Sequence, residues 1–278
     1  WIRSTSSEAK LPSSQVLPLE SVVHQQFSLL REGAKVTLIG HPNAKAEGDS
    51  IEGAKNDLLN VGANEDDIHT ISIDLCEEGA PARIVQETVD KFGRIDILIN
   101  SAGFVSTDAT KKGVDCPIDH FDPMMNIHCK AVILLTQSAS MYLEERKGSI
   151  VNVSSITAMP FMNQIHLYYS MSKSAQDQLT IQMASHLIQK GIRVNAVQPG
   201  IVITNIVANS GFKVNQEARE CMLKTKGFVP NGRFAVAEDV AKVIIFLADS
   251  SQSGFINGAR IPVDGGANLM NVQTMFER

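Results

Sequence analysis

The 278-residue sequence contains no run near the roughly 18 consecutive apolar residues that a membrane-spanning helix requires, so nothing in it reads as a span. No block of like charges occurs either. Its 25 basic and 30 acidic side chains leave a net charge of −5 and a pI of about 5.8, which argues against nucleic acid or an anionic membrane as the main partner. Cysteine is sparse: Cys76, Cys116, Cys129 and Cys221 share no metal-ligand spacing and are too few for a disulfide framework. A reducing, cytoplasmic setting is therefore expected, and no metal, since the histidines also lack ligand spacing. What is present is 44% hydrophobic and 20% charged residues, the balance of a soluble protein with a full core, in a length that one α/β domain can fill.

The first residues differ from the rest. Five serines, Pro12 and Pro18 fall within residues 1–18 with no sustained period, so an irregular or disordered segment is expected over 1–19 and a single domain over 20–278. Arg3 and the serines fit an organellar import segment, but Glu8 and Glu20 count against one.

From Glu20 the pattern becomes regular. Helices are expected over 20–32, 43–61, 79–92, 118–145, 168–190 and 237–249. Strands are expected at Lys35–Ile39, His69–Ile73, Ile95–Ile99, Ser149–Val153, Ile192–Val197 and Arg260–Val263. Apolar strands alternating with helices indicate a doubly wound parallel sheet with helices on both faces, and ligands of such sheets lie beyond the carboxyl ends of the strands.

The segment Tyr169-Ser170-Met171-Ser172-Lys173 sets a phenol and an ammonium four residues apart on one helix face. A free phenol titrates near pH 10, and a neighbouring ammonium is expected to lower that value, suiting Tyr169 to proton exchange with a carbonyl or alcohol oxygen. Ser154 and Ser155 follow the strand SIVNV, where a hydroxyl can reach the same oxygen. Asn100-Ser101-Ala102-Gly103 follows the strand ending at Ile99, and Asn126 lies in the long helix beyond it. Pro199-Gly200 follows the strand ending at Val197, with Thr204 four residues on.

In this order and spacing these pieces, with Val263-Asp264-Gly265-Gly266 near the end, resemble the short-chain dehydrogenase/reductase family over about residues 27–268. The resemblance is to its 3-oxoacyl-acyl-carrier-protein reductase and hydroxysteroid dehydrogenase branches. It implies a Rossmann-like fold and hydride transfer between a nicotinamide cofactor and a ketone, aldehyde or secondary alcohol. By the same resemblance Tyr169 is the acid/base, Ser155 positions the carbonyl, Lys173 tunes Tyr169 and holds the nicotinamide ribose, and Asn126 anchors a proton-relaying water. The implied cofactor set is His41, Asp74, Leu75, Asn100, Ala102, Gly103, Tyr169, Lys173, Pro199, Gly200, Val202 and Thr204. The family's serine-to-tyrosine interval selects Tyr168, but only Tyr169 has a lysine four residues on. Tyr169 is therefore taken as the acid/base, and Tyr168 as a pocket wall.

One departure from the family is large. The glycine-rich turn that opens the first helix should occupy residues 15–22, yet Val16, Glu20 and Val22 stand at the glycine positions, and Ala9–Gln15 is no apolar strand. The first strand and the phosphate cradle are thus in doubt. The abrupt loss of pattern beside an intact catalytic set favours an N-terminus foreign to a reductase body. The alternatives are a catalytically impaired protein serving as a binding or regulatory subunit, and weak nucleotide binding through the remaining contacts. The strand Lys35–Ile39 ends without the acidic residue that takes an NAD ribose. His41 stands there instead, so NADP(H) is favoured over NAD(H). Asp74-Leu75 matches the adenine-touching position, with a helix N-cap as the other role for Asp74. Met159, Pro160, Phe161 and Met162, with Ile206, Val207, Phe212 and Val214, either line an apolar substrate pocket or pack a lid onto the core. The family implies a homotetramer or dimer.

Overall fold

The computed structural model describes residues 15–16, 33–42, 50–106, 111, 113–159, 167–202, 220, 223–224 and 229–270. Its strands are β1 (Gln15–Val16), β2 (Val36–Gly40), β3 (Ile68–Ser72), β4 (Ile97–Asn100), β5 (Ser149–Val153), β6 (Arg193–Pro199) and β7 (Arg260–Val263). Five of them hydrogen-bond in the order β1-β4-β5-β6-β7, every neighbour parallel, and β2 pairs in parallel with β3. β1 also packs beside β2, which sets the β2–β3 pair next to the first strand. A strand does therefore form inside the segment expected to be irregular. It is two residues long, with Gln15 opposite Ile99 and Val16 opposite Asn100.

Between the strands run helices α1 (Ile51–Asn60), α2 (Ala80–Phe92), α3 (Phe121–Met125), α4 (Ala131–Arg146), α5 (Leu167–Leu187), α6 (Ala237–Ala248) and the single turn α7 (Ser250–Ser253). The period-2 geometry of a strand divides its side chains between two cores. Leu98, Ile150 and Val194 join Ile84 of α2 and Leu135 and Leu143 of α4 on one face. Ile97, Ile99, Val151 and Val197 join Val240, Ile244 and Leu247 of α6 on the other. Both faces are covered, as parallel strands require.

Local chemistry sets the helix ends. Ser50 Oγ accepts from the Gly53 amide at 3.0 Å and starts α1, so this helix begins well inside the expected 43–61; residues 43–49 lie outside the described residues. Gly93 ends α2 with φ of 75°, the left-handed conformation that glycine adopts without penalty. The expected helix over 20–32 lies outside the described residues.

The long helical stretch expected over 118–145 is present, but it is not uniform α-helix. A 3-10 turn at Ile118–His120 leads into α3, and a π turn at Asn126–Lys130 separates α3 from α4. The Ala131 amide donates to the carbonyl of Asn126, five residues back, which widens the helix there. Inserted turns of this kind recur at functional positions. This one packs against α5.

Candidate active site

The carboxyl ends of β2 to β6 converge on one rim of the sheet and carry His41, Asp74, Asn100, Ser154-Ser155 and Pro199-Gly200. Across that rim α5 presents Tyr169 and Lys173. Ser155 is buried directly after β5. Its hydroxyl has two lone pairs and one proton. It accepts from the Thr157 amide at 3.2 Å and from the Thr157 hydroxyl at 3.0 Å, so its own proton is free to be donated onward. The onward partner is the Tyr169 phenol, which hydrogen-bonds with Ser155. A phenol and a hydroxyl thus meet where one carbonyl oxygen can take a hydrogen bond from each.

Lys173 is 4% exposed. Its ammonium donates to the Val153 carbonyl at 2.8 Å and to Gln176 Oε1 at 2.9 Å, and lies 5.8 Å from the centre of the Tyr169 ring. Burial penalises the charged form and draws the Lys173 pKa down to about 7. This corrects the expectation for Tyr169. Burial pushes its phenol up to about 12, and the opposing influence is the Ser155 hydrogen bond rather than Lys173. A lysine that holds its own proton weakly has little charge to lend a neighbour.

Tyr168 turns away from this arrangement. Its hydroxyl donates to the Cys116 carbonyl at 3.0 Å, and its ring meets Phe121 edge-on at 5.7 Å. The lysine spacing therefore picks out the tyrosine that reaches Ser155. Asn126 opens the π turn, and that turn supplies a residue which sequence reasoning missed, His128. His128 is fully buried, with its ring edge-on to Tyr169 at 5.5 Å. The Ser172 hydroxyl donates to the Tyr169 carbonyl at 2.8 Å, so its 2.8 Å contact with His128 Nδ1 needs the imidazole to donate. His128 is then a neutral Nδ1–H tautomer, consistent with a pKa held well below its ordinary value by burial and by Lys173. Its Nε2 lies against Gly103, where an added Cβ would come within 2.6 Å.

Thr157 and Gln176 were also missed in the sequence. Their signal was faint: a hydroxyl two residues after Ser155, and an amide one helical turn after Lys173.

Among the cofactor candidates, His41 Nε2 lies 3.6 Å from Asp74 Oδ2, and Asp74 Oδ1 accepts from the Cys76 amide at 2.8 Å. Asp74 therefore closes a turn and faces His41. The N-cap of α2 is Gly79 instead. Leu75, Asn100 and Ala102 line one small cavity, closed by Ile127, Ala131 and Leu135 of the π turn and α4. Asn100 Nδ2 donates to Asn152 Oδ1 at 2.9 Å, while Asn100 Oδ1 and Ser101 Oγ are buried with no hydrogen-bond partner among the described residues. The Gly200 amide donates to the Val263 carbonyl at 3.0 Å, and a Cβ there would strike Asp264 Cα at 2.8 Å. Asp264 in turn accepts from the amides of Gly266 and Asn268, which explains the Val-Asp-Gly-Gly run. Val202 bridges to Ala235, and its side chain packs into the α6-side core. Thr204 and all the expected pocket residues except Met159 lie outside the described residues.

A family model described as enoyl-(acyl carrier protein) reductase matches residues 28–268. The chain belongs to the short-chain dehydrogenase/reductase family. A 3-oxoacyl-acyl-carrier-protein reductase of Thermotoga maritima is 38% identical over 184 residues, 66% of this chain and 70% of that protein. A meso-2,3-butanediol dehydrogenase of Serratia marcescens is 34% identical over 203 residues, 73% and 76% of the two. A short-chain dehydrogenase/reductase of Caenorhabditis elegans, solved with cofactor, superposes with a TM-score of 0.86 at 33% identity, covering 94% of this chain and 97% of that one. The family model thus begins within one residue of the limit read from the motifs. The positions of the missing glycines lie ahead of it. These relatives are oxidoreductases acting on CH–OH groups, and the chain belongs to the same oxidoreductase family. No described helix is long and apolar enough to cross a membrane.

Proposed function

We propose that this chain interconverts a carbonyl and a secondary alcohol on a largely apolar substrate, with NADP(H) preferred over NAD(H). The observation that carries the reading is the Ser155–Tyr169 hydrogen bond beside a tethered Lys173. The described rim fits a dinucleotide: Asn100 Oδ1 and Ser101 Oγ are buried acceptors or donors without a partner among the described residues, and Lys173 has a third N–H beyond its two bonds. Gly103 and Gly200 leave room for the His128 ring and the Asp264 backbone beside that rim.

Asn100, Ser101, Ala102, Gly103, Lys173, Pro199 and Gly200 would hold the cofactor, which supplies or takes the hydride when bound. Ser155 orients the substrate oxygen by turning its proton from the Tyr169 phenol to that oxygen. Tyr169 gives its phenolic proton to that oxygen in reduction and takes it back in oxidation, work worth roughly 10²–10⁴-fold in rate. Lys173 keeps its ammonium under the Tyr169 ring, and Asn126 would order the water that returns a proton to the site. His41, basic and at the end of β2, supports the NADP preference, because no carboxylate of β2 itself stands there to take an NAD ribose. The apolar chains of Leu134, Met141, Met171 and Ile188 stand exposed on or just beyond α4 and α5, in keeping with a homo-oligomer joined through those helices.

Titration with NADPH and then NADH, followed by nucleotide fluorescence and a carbonyl screen, tests this function. Micromolar NADPH affinity with turnover is expected. Tyr169→Phe should abolish turnover and leave NADPH affinity within a few-fold, because only the proton donor is lost. A folded chain that binds neither nucleotide at millimolar concentration is instead the impaired binding protein of the alternative reading.

A further inference from the structure

Lys173 is held by two bonds, and the second comes from a residue one helical turn along α5 that no family motif marks. Gln176 is 1% exposed, and its Oε1 lies 2.9 Å from the Lys173 ammonium. Its backbone is pinned as well. The Thr180 hydroxyl donates to the Gln176 carbonyl at 2.9 Å, Asn152 Nδ2 donates to the Thr180 hydroxyl at 2.9 Å, and Asn100 Nδ2 donates to Asn152 Oδ1 at 2.9 Å. A continuous line of buried amides and a hydroxyl therefore runs from the end of β4, through β5, to the turn of α5 that grips Lys173. Every bond in it ties the cofactor rim to the catalytic helix.

The acceptor is an uncharged amide, and that choice has consequences. The other titratable groups facing Lys173 are Cys129 and His128 from the π turn, Tyr169 and Asp177 from α5, and Arg260 of β7 behind Asp177 at 3.9 Å. Asp177 is itself engaged by Gln198 Nε2. A carboxylate at position 176 would stand in direct contact with the ammonium and fix its proton. An amide holds the ammonium in place without setting a charge beside it.

We propose that Gln176 is a positioning residue of the reaction: with the Val153 carbonyl it fixes the Lys173 ammonium and leaves one N–H for the bound ligand. This rests on the reading of Tyr169 and Lys173 given above.

The test compares Gln176→Glu and Gln176→Met, both close in size to glutamine, with thermal unfolding to confirm that each is folded. In the unliganded chain carrying ¹³Cε-lysine, the Lys173 resonance is titrated by NMR. Gln176→Glu should raise its midpoint by about 1–3 pH units, the effect of an opposite charge within ~4–6 Å, and Gln176→Met should not. In turnover, the pH profile of kcat should move upward with Gln176→Glu, while Gln176→Met should lose about 10-fold in kcat. An unmoved Lys173 midpoint in Gln176→Glu, or wild-type kcat and pH profile in Gln176→Met, overturns the proposal. Wild-type protein that turns over no carbonyl overturns the proposed function instead, and the Lys173 midpoint then still decides whether Gln176 governs the ammonium.

Discussion

Tyr169 carries its proton more tightly than a free phenol does, and this fixes how each direction of the reaction responds to pH. With the pKa pushed up to about 12, the phenol stays protonated across the neutral range. Reduction consumes the protonated form, so its rate should be nearly flat from about pH 6 to 9 as far as Tyr169 is concerned. Oxidation consumes the phenolate, whose share grows tenfold per pH unit below the pKa, so its rate should climb steadily with pH. Initial rates in both directions over one pH series check this, and an oxidation rate that falls with rising pH would overturn it. Gly103 gives a second prediction. In Gly103→Ala the new methyl would sit 2.6 Å from His128 Nε2, on a ring held by Ser172 and Tyr169 and unable to yield. Overpacking of this kind costs about 1–3 kcal/mol. Adding His128→Ala opens the space, so a double-mutant cycle by denaturant unfolding should show the pair less destabilised than the sum of the two. Tyr169, Ser155 and Lys173 were legible in the sequence because their spacings are fixed by one helix and one strand end. His128 and Thr157 were not, because their roles arise only when separate segments come together.

Elements were read well where periodicity and glycine punctuation agreed. β5 and β7 have the expected bounds, flanked by Gly148 and Gly258, and α2 ends at Gly93 as its sequence suggests. The π turn at Asn126–Lys130 was illegible, because an i→i+5 bond leaves no mark on an amphipathic pattern that reads as uninterrupted helix. A second unmarked device is Arg193, the first residue of β6. Its buried guanidinium donates to the carbonyls of Ser253 and Ile256 from one nitrogen and of Leu247 from the other, tying the strand to α6 and α7. Arg193→Met keeps the apolar stem of the side chain but leaves those acceptors unpaired, at a cost of about 3 kcal/mol. The site lies at the opposite end of β6, about 20 Å away for six residues of strand. The variant should therefore unfold at lower denaturant while its kcat, measured where it is still folded, stays at the wild-type value. A matching loss of kcat would show that the anchor also shapes the site.

For the whole molecule, the feature that matters is a doubly wound sheet in which a strand at Gln15–Val16 precedes β2 and pairs with β4. Alternating strands and helices sufficed to read the sheet, since parallel strands buried on both faces must be apolar throughout. The first strand escaped that reading because Ala9–Gln15, with Pro12 and two serines, is no apolar run, whereas pairing with Ile99 and Asn100 holds Gln15–Val16 in the sheet. That pairing bears on nucleotide binding. Val16 lies opposite Asn100, the last residue of β4, at the rim where Asn100 to Gly103 lie. The first-turn register read from the sequence assigns the glycine positions to Val16, Glu20 and Val22. In a turn of this kind, side chains at the glycine positions would keep backbone amides from close approach to a pyrophosphate, and a glutamate would add like charge. The triple variant Val16→Gly, Glu20→Gly, Val22→Gly should therefore bind NADPH at least about 10-fold more tightly, or about 1.4 kcal/mol. Part of that gain should fade as salt screens the Glu20 contribution, whereas the steric part should not. Fluorescence titration at low and high ionic strength separates the two. A triple variant that melts as a folded protein yet binds NADPH no better would show that the phosphates are held by other parts of the rim, and that the first strand ends in a cradle of a different kind.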